Sequence, residues 1–298
     1  MNLPDLRSIL HRKFIASKVS LLSLHDPIYV SPKASIAECV KKLREKNIGC
    51  LLIMENGNLN GIISERDILR QGALLGAQCV RLAAAEIMTR DVKTIKSNAS
   101  IARLLHMFAV NGFRHAPVIC EDGIKVISVK DFVDFIYLEL TKKLTEKFPV
   151  EVVEYSKVDA FFAQTVSVLE PAAPVVVPEL EPIREALRRI NDNSVGAVIV
   201  IDHDQRIRGI FTERDYIKKI ACTDTDIETT PVKKVMTESP ATAQLTTSVA
   251  YAFNLMSEGK YRHVPVVDTE EDLVGIVSVK NFINYLASGI LEELEKYK

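Results

Sequence analysis

"GIISERDI" at residues 61–68 and "GIFTERDY" at 209–216 are nearly the same eight letters written twice, 148 positions apart. Each copy sets a small hydroxyl residue three positions before an aspartate: Ser64 with Asp67, then Thr212 with Asp215. "EIMT" at 86–89 returns as "KVMT" at 234–237, and "FRHAPV" at 113–118 returns as "YRHVPV" at 261–266, at the same offset. The second half of the chain is therefore a copy of the first, as self-similarity at a fixed period implies. Each half is itself double, because "KVISVKDF" at 125–132 and "GIVSVKNF" at 275–282 repeat the opening pattern. Four units of one kind result.

Each unit opens with a short extended piece, such as "PIYVSP" at 27–32 or "DVKTIKS" at 91–97. A helix is predicted next: Ile36, Val40 and Leu43 share one helical face in the first unit, as do Ile183, Ala186, Leu187 and Ile190 in the third. Ser35 and Ser100 stand where an N-cap is wanted. Apolar runs follow, "CLLIM" at 50–54, "APVI" at 116–119, "AVIVI" at 197–201 and "VPVV" at 264–267, and strands this uniformly apolar are buried on both faces. Turn residues such as "ENGN" at 55–58 then fold the chain back as a hairpin. The hairpin ends at Ser64, Ser128, Thr212 or Ser278, where a second helix begins.

The bulk composition narrows the function classes. A chain of 298 residues that is 47% apolar and 26% charged reads as a globular protein with room for two domains. A net charge of −1 argues against a broad nucleic-acid footprint, so any anion site is local. The five cysteines form no CxxC pair, and four of them sit among apolar neighbours or in helical patterns, which reads as small core residues in a reducing, cytoplasmic setting. No apolar run approaches the ~20 residues that span a bilayer. The first residues, 1–23, lack a signal peptide's apolar centre and read as an amphipathic helix.

A hydroxyl and an acid at the start of a helix have an ordinary use. The hydroxyl caps a free amide and the acid returns the favour, although such boxes favour Glu or Gln at the third position. Here that position holds Asp67, Asp131, Asp215 and Asn281, all with the shorter arm. The functional alternative is a nucleotide grip, in which the helix start seats phosphate and the carboxylate accepts charge-assisted hydrogen bonds from ribose hydroxyls.

The order of elements, "GIISERD", "GIFTERD", the "IMT" and "VMT" openings and the "RHxP" strands resemble tandem cystathionine beta-synthase (CBS) domains from about residue 20 to 287. That resemblance implies an α+β fold of four β-α-β-β-α repeats paired into two Bateman modules. In repeat count it is similar to the gamma regulatory subunit of AMP-activated protein kinase, whose modules form a flat disc. The expected boundaries are repeats at 24–75, 86–147, 166–222 and 234–298, with a linker at 148–165. Long helices at 130–148 and 280–298 close the second and fourth repeats.

The family binds adenosine-containing ligands such as AMP, ADP, ATP, NAD or S-adenosylmethionine in the clefts of each module. By that resemblance Asp67, Asp131 and Asp215 would hold ribose hydroxyls, and Ser64, Ser128 and Thr212 would face phosphate or ribose. Ser278 is the matching hydroxyl of the fourth repeat, but Asn281 carries no charge, so a poor or empty site is expected there. Arg114 with His115, and Arg262 with His263, precede strands that Pro117 and Pro265 enter, and the forked guanidinium suits phosphate. Arg66 and Arg214 in the odd repeats, and Lys130 and Lys280 in the even ones, are further phosphate candidates. Gly49 and Gly196, the latter followed by Ala197, would let an adenine ring approach the backbone, or would only ease a turn.

No phosphate-loop, nucleophile-elbow or HExxH pattern supports catalysis, and no metal-ligand spacing occurs. The sequence points to a non-enzymatic regulatory sensor: an adenine nucleotide binds between paired repeats and a separate protein partner reads the change, with a homodimer as a further possibility. No cofactor, nucleic acid or membrane is expected as a partner. A ligand-free scaffold of degenerate repeats and a nucleotide-using enzyme are the alternatives.

Overall fold

The computed structural model describes residues 17–75, 79, 81–145, 164–257, 259 and 261–296. The helix expected over 1–23 falls mostly at residues 1–16, outside the described residues. Residues 17–23 carry instead a 3-10 turn, Val19–Leu21, between extended flanks. The cause is external pairing: Val19 N donates to Ala99 O and Ser20 N to Ser97 O, which straps this stretch to the second repeat and buries Val19.

The predicted order of strand, helix, strand, strand, helix recurs four times. Repeat 1 comprises β1 (Tyr29–Val30), α1 (Ile36–Lys46), β2 (Cys50–Glu55), β3 (Asn58–Ser64) and α2 (Glu65–Leu75). A short α3 (Ala84–Ile87) leads to repeat 2, with β4 (Ile95–Lys96), α4 (Ile101–Asn111), β5 (His115–Cys120), β6 (Gly123–Ser128) and α5 (Val129–Thr145). Repeat 3 has β7 (Val176–Pro178), α6 (Ile183–Asp192), β8 (Ala197–Ile201), β9 (Ile207–Thr212) and the single turn α7 (Glu213–Asp215), which passes into a π-helical turn, Tyr216–Ile220. After β10 (Thr237–Glu238), repeat 4 has β11 (Ala243–Gln244), α8 (Val249–Ser257), β12 (His263–Val267), β13 (Leu273–Ser278) and α9 (Val279–Lys296). The two long closing helices are present, and their expected last residues, 146–148 and 297–298, lie outside the described residues.

In every repeat the first strand pairs parallel to the second, and the second pairs antiparallel to the third. Local chemistry sets the corners. The Ser35 and Ser100 hydroxyls accept from the amides of Glu38 and Arg103, capping α1 and α4. Asn56 and Gly57 both take positive φ, 52° and 79°, which suits the two-residue hairpin turn between β2 and β3.

Strand β8 shows why these runs are apolar throughout. Val198 and Val200 enter a core shared with the helices of repeats 1 and 3, whereas Ala197, Ile199 and Ile201 face a second layer with Leu273 and Ile276 of repeat 4. Sheets thus join the repeats of one half, and helices join the halves: repeat 1 shares a core with repeat 3, and repeat 2 with repeat 4. The four repeats close into a ring. One such seam is pinned by Arg44, whose guanidinium donates to Ile217 O at 2.8 Å and Ala221 O at 2.7 Å across to the π turn of repeat 3.

The recurring "GII/GIF" and "IMT/VMT" letters are one device. A Cβ at Gly61 would stand 2.6 Å from Met88 Sδ, and one at Gly209 would stand 2.4 Å from Met236 Sδ, so each methionine lies directly on a bare backbone in the neighbouring strand. Cys39, Cys50 and Cys79 are buried, and burial pushes the Cys39 and Cys50 thiols up to about 12, which suits inert core positions. Among the described residues no helix is long and apolar enough to cross a membrane.

Candidate functional site

Hairpin register decides where each predicted residue stands. Cys50 lies opposite Ser64, His115 opposite Ser128, Ala197 opposite Thr212 and His263 opposite Ser278. The first amide of each following helix needs an acceptor outside the helix. It finds one in the residue just before the second strand: Glu65 N donates to Gly49 O at 3.1 Å, Val129 N to Arg114 O at 2.8 Å, Glu213 N to Gly196 O at 3.2 Å and Val279 N to Arg262 O at 3.2 Å. Pro117 and Pro265 sit one residue before the point where the short strands β4 and β11 begin to pair, where a missing donor costs nothing.

The three hydroxyl–acid pairs and the Ser278–Asn281 pair all form helix caps. Asp67 Oδ2 accepts from Ser64 N at 2.8 Å and Ser64 Oγ at 2.6 Å, and Asp131 Oδ2 accepts from the same two groups of Ser128, each at 2.7 Å. Asp215 Oδ2 accepts from Thr212 N at 3.0 Å and Oγ1 at 2.6 Å, while Asn281 Oδ1 accepts from Ser278 N at 2.9 Å and Oγ at 2.8 Å. Capacity to hold a ribose therefore turns on the second terminal atom of each side chain.

That atom differs between repeats. Asp67 Oδ1 has no hydrogen-bond partner among the described residues. Asp131 Oδ1 lies 2.9 Å from His25 Nε2, on the segment that leads into repeat 1. Asp215 Oδ1 meets Thr237 Oγ1 at 3.1 Å and Lys219 Nζ at 2.9 Å, and Lys219 also donates to Val235 O and Met236 O. Asn281 Nδ2 donates to Leu169 O at 3.2 Å and Glu170 O at 3.0 Å. Sequence reasoning treated Asn281 as a weakened acid, but the amide does what no carboxylate can: it accepts from its cap and donates to two carbonyls at once. The departure of repeat 4 from the acid pattern is a clamp on the segment entering repeat 3.

Each of the two glycines lies under a histidine ring. A Cβ at Gly49 would stand 2.7 Å from both Cε1 and Nε2 of His115, and one at Gly196 would stand 2.9 Å from His263 Nε2. The ring lying against each glycine belongs to the histidine of the companion repeat. Burial, reinforced by Arg262 and Arg114, pulls both imidazoles down to about 3, so both rings are neutral near pH 7.

One arginine from each repeat converges on the middle of the ring. Arg66 Nε donates to Glu213 Oε1 at 2.9 Å and Arg114 donates to Glu213 Oε2. Reciprocally, Arg214 Nε donates to Glu65 Oε1 at 3.1 Å and Arg262 donates to Glu65 Oε2. Glu65 and Glu213 are 3% and 1% exposed. Burial alone would raise the Glu65 carboxyl, but the guanidiniums of Arg262 and Arg214 outweigh it and hold it down to about 2. In the sequence these glutamates stand between the Ser or Thr and the Arg and Asp of each motif as ordinary first-turn acids. A signal existed: the even repeats place Val129 and Val279 at the same position, so an acid recurring there at the 148 offset is out of pattern.

A cavity of about 460 Å³ opens between repeats 3 and 4 and reaches across to repeat 2. Of the predicted site residues it is lined by Arg66, Arg114, His115, Ser128, Lys130, Gly196, Ala197, Arg262, His263, Ser278, Lys280 and Asn281. Gly49, Ser64, Asp67, Pro117, Asp131, Thr212, Arg214, Asp215 and Pro265 lie off it. The expectation of a poor or empty site at repeat 4 thus meets an open cavity beside its grip. The walls add apolar surface the sequence reading did not single out, including Phe108, Phe113, Ala172, Val175 and Ile276. Five cations line the cavity, Arg66, Arg114, Lys130, Arg262 and Lys280, and among the described lining residues there is no carboxylate. Such a site can take a flat apolar group at one wall and a multiply charged anion at another.

A family model described as the CBS domain matches residues 19–73, 84–138, 171–222 and 232–288. The CBS domain-containing protein CBSCBSPB1 of Arabidopsis thaliana is 26% identical over 286 residues, which cover 88% of this chain and 52% of the relative. The chain spans about half the length of the A. thaliana relatives it matches. Protein MJ1225 of Methanocaldococcus jannaschii has the same fold, with a TM-score of 0.73 at 19% identity, over 90% of this chain and 99% of that one. An uncharacterized conserved protein from Pyrococcus horikoshii superposes with a TM-score of 0.58 at 17% identity, covering 90% and 98% of the two chains.

Proposed function

The chain belongs to the CBS-domain family, and from that premise we propose that it is a regulatory protein that binds an adenine nucleotide, AMP, ADP or ATP, in the cavity between repeats 3 and 4. The observation that carries this reading is the cavity's charge set, five cationic side chains with no carboxylate among the described lining residues, beside apolar walls. Phosphates would meet Arg114, Arg262 and Arg66, with Lys130 and Lys280 further out, and the base would lie against Ala172, Val175 and Ala197. Ser278 keeps acceptor capacity for a ribose hydroxyl, because its hydroxyl hydrogen is given to Asn281.

The cavity takes residues from both halves of the chain, so a bound nucleotide would bear on how the two modules meet. Such coupling is worth ~1 to 3 kcal/mol in regulated proteins, enough for a separate protein partner to respond. Catalysis forms no part of the proposal. The engaged second atoms of Asp131, Asp215 and Asn281 favour a structural role for those three grips, so the expected stoichiometry is well below four. Native mass spectrometry of the full chain incubated with AMP, ATP, NAD and S-adenosylmethionine tests the reading. One or two nucleotides bound per chain support it. No adduct with any of them favours a ligand-free scaffold.

A further inference from the structure

We propose that Glu65 and Glu213 are internal counter-anions that hold the arginine forks in place of ligand phosphate, so that a polyphosphate binds by displacing them and its affinity is set by that competition, to which a neutral adenosine compound is indifferent. The proposal rests on reading the cavity as a nucleotide site, and concerns what tempers its affinity for phosphate.

The geometry is reciprocal. Glu213, in the second module, takes Arg66 and Arg114 from the first, while Glu65, in the first module, takes Arg214 and Arg262 from the second. Four guanidiniums therefore share two carboxylates, two forks to each acid. Three of these arginines, Arg66, Arg114 and Arg262, also line the cavity, whereas neither glutamate does. Each cation thus has its counter-charge behind it and the open cavity before it.

The arginine side chains keep 22% to 30% of their surface exposed, against 2% and 4% for the two acids. The guanidiniums can reorient toward the cavity, and the carboxylates cannot follow. A guanidinium fork pairs with phosphate oxygens by the same bidentate geometry it uses with a carboxylate. An entering polyphosphate would then exchange partners with Glu213 at Arg66 and Arg114, and with Glu65 at Arg262. Adenosine brings no charge to that exchange. The sulfonium and ammonium of S-adenosylmethionine would face five cations.

Titration of the full chain with inorganic tripolyphosphate, ATP and adenosine at one fixed ionic strength, for wild type and Glu213→Gln, tests this. Removing the competing carboxylate is expected to tighten tripolyphosphate and ATP roughly tenfold, the worth of one charge-assisted hydrogen bond, and to leave adenosine unmoved. Glu213→Asp keeps the charge but shortens the arm. It is expected to tighten tripolyphosphate too, which separates release of the guanidiniums from a change in net charge.

Should Glu213→Gln fail to fold, Glu65→Gln and a crystal complex of wild type with tripolyphosphate give the same answer. In that complex Arg66 and Arg114 are expected on phosphate oxygens and off Glu213. Unchanged or weaker tripolyphosphate binding by folded glutamine variants, or a complex with both arginines still on Glu213, overturns the proposal. ATP bound by wild type but no more tightly by the glutamine variants sinks this inference and spares the nucleotide reading. Tripolyphosphate bound more tightly by the glutamine variants than by wild type, with ATP refused by both, does the reverse.

Discussion

Replacing Asn281 by aspartate would restore the acid that the other three repeats carry, yet the structure predicts damage. Asn281 Nδ2 donates to Leu169 O and Glu170 O, and its Oδ1 accepts two hydrogen bonds from Ser278. An ionised carboxylate keeps the second pair and loses the first. It also aims a negative oxygen at two carbonyl oxygens at about hydrogen-bond distance. Two lost hydrogen bonds at ~1 kcal/mol each, plus the cost of facing two acceptors, give a destabilisation of roughly 2 to 4 kcal/mol. Urea denaturation of Asn281→Asp, followed by circular dichroism, should show the midpoint falling with little change in slope. The deficit should shrink as pH falls through the new carboxyl's pKa, because only the neutral acid can donate. A midpoint equal to wild type at pH 7, or a deficit that grows on acidification, would refute the clamp.

Three further outcomes follow from the same contacts. Gly49→Ala and Gly196→Ala push a methyl into His115 and His263, so each should cost about 1 to 3 kcal/mol in thermal unfolding, and His115→Ala should relieve most of the Gly49→Ala cost in a double-mutant cycle. Stability should rise with pH between about 3 and 6.5, because the unfolded chain there binds protons that the buried imidazoles of His115 and His263 refuse. A second loss should follow as pH falls from 4.5 toward 2, where the depressed Glu65 carboxyl gives up its advantage, and a flat pH profile above 4.5 would contradict the buried neutral rings. Arg114→Ala should weaken ATP binding by roughly tenfold or more, whereas Lys125→Ala, which breaks a surface pair with Asp26, should leave it unchanged.

Four β-α-β-β-α units could be read from the sequence because each rests on a local rule. The 148-residue offset exposed the copies, Ser35 and Ser100 announced helix starts, and the unbroken apolar run at 197–201 required burial on both faces. What stayed hidden are the contacts made between copies. Nothing near Gly49 says that His115 will lie on it, since the two meet only when repeats 1 and 2 pack their sheets. Glu65 and Glu213 look like ordinary first-turn acids until the opposite module brings two arginines to each. His25 and Lys219 reach Asp131 and Asp215 from outside the motifs that define the grips, and Asn281 reveals its clamp only against the carbonyls of residues 169 and 170. The local letters specify caps, and tertiary packing decides which of those caps stand beside an open cavity.

Isothermal titration of the full chain with ATP, repeated on Arg114→Ala/Arg262→Ala, tests the central claim most directly. The account predicts saturable binding near micromolar strength, about −8 kcal/mol, with at least one site per chain lost in the double variant. Wild type that releases no heat at millimolar ATP, or a double variant that binds as wild type does, would contradict it.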